Sequence, residues 1–395
     1  MKYTPQEVMD YIREEDVKFI RLAFCDVYGR QRNIAIMANE LPRAFEYGIA
    51  FDGSAVDGFG GDVRSDLLLH PDAGTLSQLP WRPQNSGVAH MFCDITHPDG
   101  TPFDGDTRHL LKRAVCDAQK QGVSFRIGSE IEFYLFKLDE DGDPTAIPYD
   151  NAGYMDIAPE DKGENVRREI CLTLERIGIL PEASHHESGP GQNEIDFRYA
   201  DPLAAADNAT TFRTVVSTIA AQYGLWADFS PRPLPDRDGS GMHINVSAAL
   251  TAPADPMPHL IAGILDRIRD MTLFLNPTEN SYTRLGRDKA PGYATWSHQN
   301  RAQLIRIPAA SDEYRRLELR SPDPTANPYL AFALVLRAGL EGIALKKTPP
   351  DPTDEQDPAD APALPRTRAE AIELAQDSAF IRQHIPQRIL RAYCR

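Results

Sequence analysis

The stretch "RIGSEIEFYLF" spans residues 126–136. Ile127, Ile131, Phe133, Leu135 and Phe136 are the residue types that strands favour. Glu130 and Glu132 interrupt them. Strand side chains alternate between faces, so the two carboxylates point to the same side. An unpaired buried carboxylate costs on the order of several kcal/mol or takes up a proton. The stretch therefore predicts a strand with one apolar face and one face that holds charge for a reason.

The same pattern recurs. In "HHESGPGQNEIDFRY" (185–199), Glu187 and Glu194 flank a Gly-Pro-Gly turn, and Glu194, Asp196 and Arg198 alternate beyond it. In "DGSGMHINVSA" (238–248), a Gly-Ser-Gly turn enters a strand on which His243, Asn245 and Ser247 share a face. In "YRRLELRSPDPTANPYL" (314–330), Arg316, Glu318 and Arg320 alternate with Leu317 and Leu319. Taken together, Glu130, Glu132, Glu187, Glu194, Glu318 and His243 stand on strands or strand-edge turns in otherwise apolar segments. Divalent cations resolve such a charge set: carboxylates suit Mg²⁺ and Mn²⁺, and a histidine tilts the site towards Mn²⁺. Metal ions beside several arginines are apparatus for phosphoryl transfer. No G-x-x-x-x-G-K-[ST], H-E-x-x-H or G-x-S-x-G motif is present.

Around these clusters the chain reads as two domains of an α+β protein. Its 395 residues are 42% hydrophobic and 25% charged, ordinary for a globular protein. Residues 5–16 predict a helix capped by Thr4, with Pro5 at its first position. Strands follow on either side of a turn at Tyr28-Gly29, and another runs from Val88 to Ile95. A Pro/Gly/Asp-rich loop near 98–106 is the expected boundary, giving domains 1–103 and 104–395. The second domain predicts helices near 107–122, 164–179, 201–224 (capped by Asp201), 258–277, 327–347 and 367–393. The segment 348–365 is crowded with Pro and Asp and predicts an exposed loop.

A net charge of −16 argues against a nucleic-acid or anionic-membrane partner. Five cysteines without a C-x-x-C pair fit a reducing cytoplasmic setting. No apolar leader and no run of about 18 apolar residues is present, so no membrane span is expected.

Eight stretches, in order, resemble the bacterial (type I) glutamine synthetase family over nearly the whole chain. They are "FDGSAVDGF", "SDLLLHPDAGTLSQLPW", "GSEIEFYLF", "HHESGPGQNEI", "GSGMHINVS", "NPTENSYTRL", "NRAQLIRIP" and "RRLELRSPDPTANPYL". The resemblance implies a small β-grasp-like N-terminal domain and a catalytic domain with a curved antiparallel sheet and helices. It implies an ATP-dependent ligase that makes glutamine from glutamate and ammonia through γ-glutamyl phosphate, with ATP as co-substrate and two or three Mg²⁺ or Mn²⁺ ions. It implies homo-oligomeric hexameric rings stacked as a dodecamer, with the short C-terminal segment leaving a single hexamer as the other arrangement.

By the same resemblance, Glu132, Glu187 and Glu194 hold the metal facing the amino-acid substrate, and Glu130, His243 and Glu318 hold the metal facing ATP. Glu132 and His243 also border the substrate. Arg284, Arg320 and Gly239 bind substrate. Arg301, Arg306 and Arg316 serve the phosphoryl group and nucleotide. Glu182 and Ser247 line the nucleotide site, and Asp52 reaches a neighbour's active site to help bind ammonium. The chain departs from the family at "RLGRDKAPGY" (284–293), where Lys289 stands in place of a glutamate that takes a proton from ammonium. Either neighbouring Asp288 or Asp52 takes over that role, or the nucleophile is a larger amine or one bearing an acidic group that pairs with Lys289. Asp238 and Arg232 replace a common asparagine and lysine, and no adenylylation tyrosine is present in 348–365. The other readings are a ligase that joins glutamate or a similar acid to another amine, such as a polyamine or alkylamine, and a catalytically silent oligomeric relative.

Overall fold

The computed structural model describes residues 3–60, 66–81, 86–251, 254–310, 314–355, 358 and 360–395. Ser65 of the second quoted motif, and Gln356, Asp357 and Ala359 of the Pro/Asp-rich segment, lie outside the described residues. The chain forms two compact units. Residues 1–110, 172–179 and 386–395 make the first, and 111–171 and 180–385 the second.

The first unit opens with helix α1 (Pro5–Glu14), where Thr4 and Glu7 form a reciprocal capping box as the sequence predicts. Strands β1 (Val17–Cys25) and β2 (Gln31–Met37) follow, then helix α2 (Leu41–Tyr47) and strands β3 (Ile49–Phe51), β4 (Leu67–Pro71), β5 (Ser77–Gln78) and β6 (Gly87–Thr96). The sheet order is β2-β1-β6-β4-β3, with β5 on β6. The β1–β6 pair is parallel. The C-terminal residues join this unit through bonds: the Tyr393 hydroxyl donates to Val27 O at 3.0 Å and Arg388 pairs with Asp104 at 2.7 Å.

Helix α3 (Thr107–Lys120) precedes the second unit's central strand, β7 (Val123–Leu138). Next come β8 (Pro144–Pro148), α4 (Glu164–Arg176), β9 (Pro181–His186), β10 (Gln192–Phe197), α5 (Pro202–Gln222), β11 (Leu225–Asp228) and β12 (Met242–Leu250). Then follow α6 (Met257–Leu275), α7 (Ser281–Arg284), β13 (Trp296–Ser297), β14 (Ile305–Arg306), β15 (Leu317–Leu319) and α8 (Pro328–Ala344). Their sheet runs β13-β14-β15-β12-β7-β10-β9, with β8 and β11 also on β7. Every pair is antiparallel except β13–β14.

One face of this sheet is apolar. Ile127, Ile131, Phe133, Ile195, Ile244, Val246, Leu317 and Leu319 are fully buried. Phe212 of α5 lies with its ring centroid 6.1 Å from Phe133 and 5.5 Å from Phe197. Helix α8 is buried almost all round, as its composition predicts, and packs on α6.

Three local expectations change. The helix expected over 367–393 is three helices: α9 (Arg368–Asp377), α10 (Ala379–His384) and α11 (Gln387–Tyr393). Ser378 ends the first and caps the second, and Pro386 precedes the third. Asp201 stands at the cap position of α5 but makes no capping bond; its carboxylate pairs with Arg126 at 2.9 Å. The 348–365 segment is irregular, yet held down: Ser297 Oγ donates to Asp354 Oδ1 at 2.5 Å and Trp296 Nε1 to Pro350 O at 2.7 Å.

Candidate active site

Antiparallel register places directly opposed residues on the same face of a sheet. His243 opposes Glu130, which opposes Asp196. Glu132 opposes Glu194, which opposes His185. Asn245 opposes Glu318, which opposes Arg306. Three rows of polar side chains thus cross six strands, β9, β10, β7, β12, β15 and β14, on the face opposite Phe133 and Ile131. The first two rows, and Arg306 of the third row, line a cavity of about 460 Å³, with Tyr154, Glu187, Gln192, Gly239, Arg284, Arg287, Asp288, Lys289, Arg301, Arg316 and Arg320.

The carboxylates fall into close groups. Ligand atoms of Glu130, His243 and Glu318 lie within 4.8 Å of one another, and so do those of His185, Glu187 and Glu194. Glu130 and Asp196 make a third such group with Glu194. Glu132 sits between the first two: His243 Nε2 is 3.9 Å from its Oε1, and Gly241 N–H (2.9 Å) and Gln192 Nε2 (3.1 Å) donate to its Oε2.

Burial works against charge on all of these groups, and their partners decide the outcome. Burial pushes Glu130 up, but His243, the Asn245 amide (2.8 Å) and Arg320 outweigh it and bring its pKa to about 2. Glu187 is also lowered against its burial, by His185 at 2.9 Å and the Ser188 N–H. Glu132 is raised by burial and by Glu187. Glu194 is driven well above the usual carboxylate range by burial and by neighbouring Glu132 and Asp196. Asp196 is pushed up to about 6 by burial and Glu130. Its Oδ1 is buried without a hydrogen-bond partner, as are Nε of Arg306 and Nε of Arg320. A floor this crowded with like charge, with an orphaned acceptor in it, fits a cation.

Four arginines, Arg306, Arg320, Arg316 and Arg284, are fixed before any ligand arrives. Arg306 Nη1 donates to Glu318 Oε2 at 2.7 Å, and Arg320 Nη1 donates to Glu318 Oε1. Arg316 Nε donates to Asn245 Oδ1 at 3.0 Å. Buried Arg284 gives Nη1 to Ser321 O (2.8 Å) and Nη2 to Arg320 O (3.2 Å). Gly241 leaves the room these need: a Cβ there would lie 2.7 Å from both His243 Nε2 and Arg284 Nη2.

Glu182 and Ser247 lie elsewhere on the sheet, in a smaller cavity of about 130 Å³ with Arg126, Tyr199 and Tyr314. It shares Glu130, Asp196 and Arg316 with the larger one. Asp52 belongs to the first unit; it is a loop residue whose carboxylate accepts from Ser54 N–H at 2.9 Å. Asp288 lines the large cavity but is engaged by Arg232 at 3.3 Å. Lys289 lines it too, with Nζ 5.2 Å from the Tyr154 ring centroid. Sequence reasoning singled out neither His185 nor Asp196 as ligand candidates. Each joins the set through strand pairing, His185 opposite Glu194 and Asp196 opposite Glu130, which alternation within one strand does not show.

A cavity that joins clustered carboxylates to preset arginines belongs to enzymes that transfer phosphoryl groups through bound divalent ions. Comparison with known proteins agrees. The glutamine synthetase β-grasp domain matches residues 16–98, and the glutamine synthetase catalytic domain matches 104–395. The chain is 44% identical to a glutamine synthetase of Methanosarcina mazei, over 99% of this chain and 92% of that one. It is 46% identical to a glutamine synthetase of Clostridium saccharobutylicum, over 88% and 82%. Among solved structures, a GmaS/ADP complex superposes with a TM-score of 0.88 at 28% identity, over 98% of this chain and 94% of that one. Plasmodium falciparum glutamine synthetase shares the fold, with a TM-score of 0.90 at 20% identity, over 100% and 95%. The chain belongs to the glutamine synthetase family and is an ATP-dependent ligase; the family uses ATP and divalent metal ions.

Proposed function

We propose that the protein is a glutamate–ammonia ligase working through γ-glutamyl phosphate. The observation that carries this reading is the pair of close ligand groups, Glu130–His243–Glu318 and His185–Glu187–Glu194, bridged by Glu132 in one arginine-lined cavity. The first group, with the adjoining Glu182–Ser247 cavity, suits the nucleotide side. The second, with Glu132, suits the amino-acid side. Two or three Mg²⁺ or Mn²⁺ ions fit these donors, and when bound they neutralise phosphate oxygens. Histidine in both groups favours Mn²⁺.

The chemistry assigns the remaining roles. A γ-carboxylate oxygen of glutamate attacks the γ-phosphorus of ATP, and ADP leaves. An amine nitrogen then attacks the acyl carbon, phosphate leaves and the amine loses a proton. Arg284 and Arg320 orient the substrate's carboxylates, with Gly239 offering backbone. Arg301, Arg306 and Arg316 steady the moving phosphoryl group electrostatically. Asp52, in a homo-oligomeric ring, assists ammonium at a neighbouring subunit's cavity. Placement in the cytoplasm follows from this metabolic role in glutamine biosynthesis.

The test is ADP formation with glutamate, Mg²⁺ or Mn²⁺ and ammonium, with the product weighed by mass spectrometry. Glutamine is the expected product. ADP formation with another amine and none with ammonium would replace this reading by ligation to that amine.

A further inference from the structure

The cavity is divided by charge. Its floor carboxylates are held by partners, whereas three cations of its wall are not. Arg287, Lys289 and Arg301 line the cavity, and among the described residues their side chains make no hydrogen bond or ion pair. Lys289 is the one whose place is built. Its Nζ sits over the Tyr154 ring, 5.2 Å from the centroid, a cation–π contact. Tyr154 in turn stands edge-on to His185, ring centroids 5.6 Å apart, and His185 bonds Glu187 at 2.9 Å.

The loop that carries Lys289 is pinned at its base and on one side. Gly286 N–H donates to Pro291 O at 3.2 Å, and Gly286 takes a φ of +73°. Gly292 faces it so closely that a Cβ would lie 3.2 Å from Gly286 Cα. Asp288, with a φ of +54°, is tied to Arg232, whose Nε donates to Pro235 O at 3.0 Å. A cation is thereby held over Tyr154 on an anchored loop, within electrostatic reach of Glu187. Like-charge juxtaposition repels one class of ligand while it attracts another, and specificity is the difference of the two.

Resting on the ligase reading, we infer that Lys289 is a specificity-determining residue of the acceptor side. Among acceptors larger than ammonia, it favours an amine that carries a carboxylate, such as an amino acid, over an alkylamine that approaches as a simple cation. In that further activity the amino-acid nitrogen attacks the acyl carbon of γ-glutamyl phosphate. The new C–N bond forms, the C–O bond to phosphate breaks, phosphate departs with the electron pair and the amine proton passes to water. The product is a γ-glutamyl amino acid.

The test measures kcat/KM for ammonium, ethylamine and glycine, with saturating ATP, glutamate and Mn²⁺, in the full chain and in Lys289→Glu and Lys289→Met. The wild type should prefer glycine to ethylamine. The glycine-to-ethylamine ratio should fall about tenfold or more in Lys289→Glu, with Lys289→Met between, as expected for a reversed local charge. A wild type that uses ammonium alone, or prefers ethylamine, overturns the inference. So does an unchanged ratio, and so does an equal fall for every acceptor, which would place Lys289 at the phosphoryl group instead. Absence of any glutamate-dependent ADP formation in the wild type would overturn the ligase reading itself, and the inference with it.

Discussion

The two faces of the nine-stranded sheet are made from the same strands and differ in everything else. On β7, Ile127, Ile131 and Phe133 are fully buried against helices, while Glu130 and Glu132 between them floor a cavity. The apolar face is held by packing, which improves as neighbours close in. The polar face is held in spite of self-repulsion: Glu194 and Asp196 have their pKa values raised because burial and each other's company disfavour charge. One face stabilises the fold so that the other can stay strained.

Substitutions on the two faces should therefore have opposite signatures. The largest effect is expected from Glu130→Gln. Ligase activity should fall by more than about a hundredfold, since loss of groups that merely orient ligands already costs 10- to 100-fold. Folding stability should also fall, though by less than the apolar-face loss below, because the ionised carboxylate's bonds to His243 and Asn245 go with it. A kinetic assay beside a denaturant melt checks this, and a large loss of stability would contradict the division of labour.

Phe133→Ala should do the reverse. It should cost about 3–5 kcal/mol of unfolding free energy through the cavity it leaves against Phe212 and Phe229. Activity of the fraction that remains folded should stay close to wild type. Chemical denaturation measures the loss.

Glu194→Gln sharpens the comparison further. In chelator it should raise stability by about 1–2 kcal/mol, because a buried carboxylate crowded by Glu132 and Asp196 is removed. Adding Mn²⁺ should stabilise the wild type more than the variant. Equal metal-induced shifts in melting temperature would remove Glu194 from the ligand set.

The smallest effect lies away from both faces. Burial, helped by Arg337, lowers the pKa of His384 to about 4. The unfolded chain takes up that proton near 6.5, so stability falls as pH drops from about 6.5 towards 4. His384→Gln should recover about 1 kcal/mol at pH 5, after discounting for a ring only partly shielded from water, and nothing at pH 8. Melts at the two pH values decide it.

Much of the site was legible because a strand has a period of two. Alternation alone put Glu130 with Glu132, and His243 with Asn245, before any strand was paired. It did not reveal His185 and Asp196 as members of the set, because their membership depends on which strand lies beside which, and in what register. Single charged residues also misled. Asp201 looked like a helix cap, yet a guanidinium on another element, that of Arg126, competes for its carboxylate. Asp288 looked free to replace a proton acceptor, yet Arg232 holds it. The last helix looked continuous by composition, but Ser378 and Pro386 divide it by capping and by the missing N–H.

By itself the sequence determined the α+β class, the family, the long buried helices and which residues could bear charge on a strand. These follow from periodicity and from side-chain chemistry, which are local. Only the tertiary structure decided that three strand rows align on one face, that Glu182 and Ser247 line a second cavity, and that Lys289 is seated on Tyr154. Those depend on register and on loop anchoring, and both are set by contacts between residues far apart in the chain.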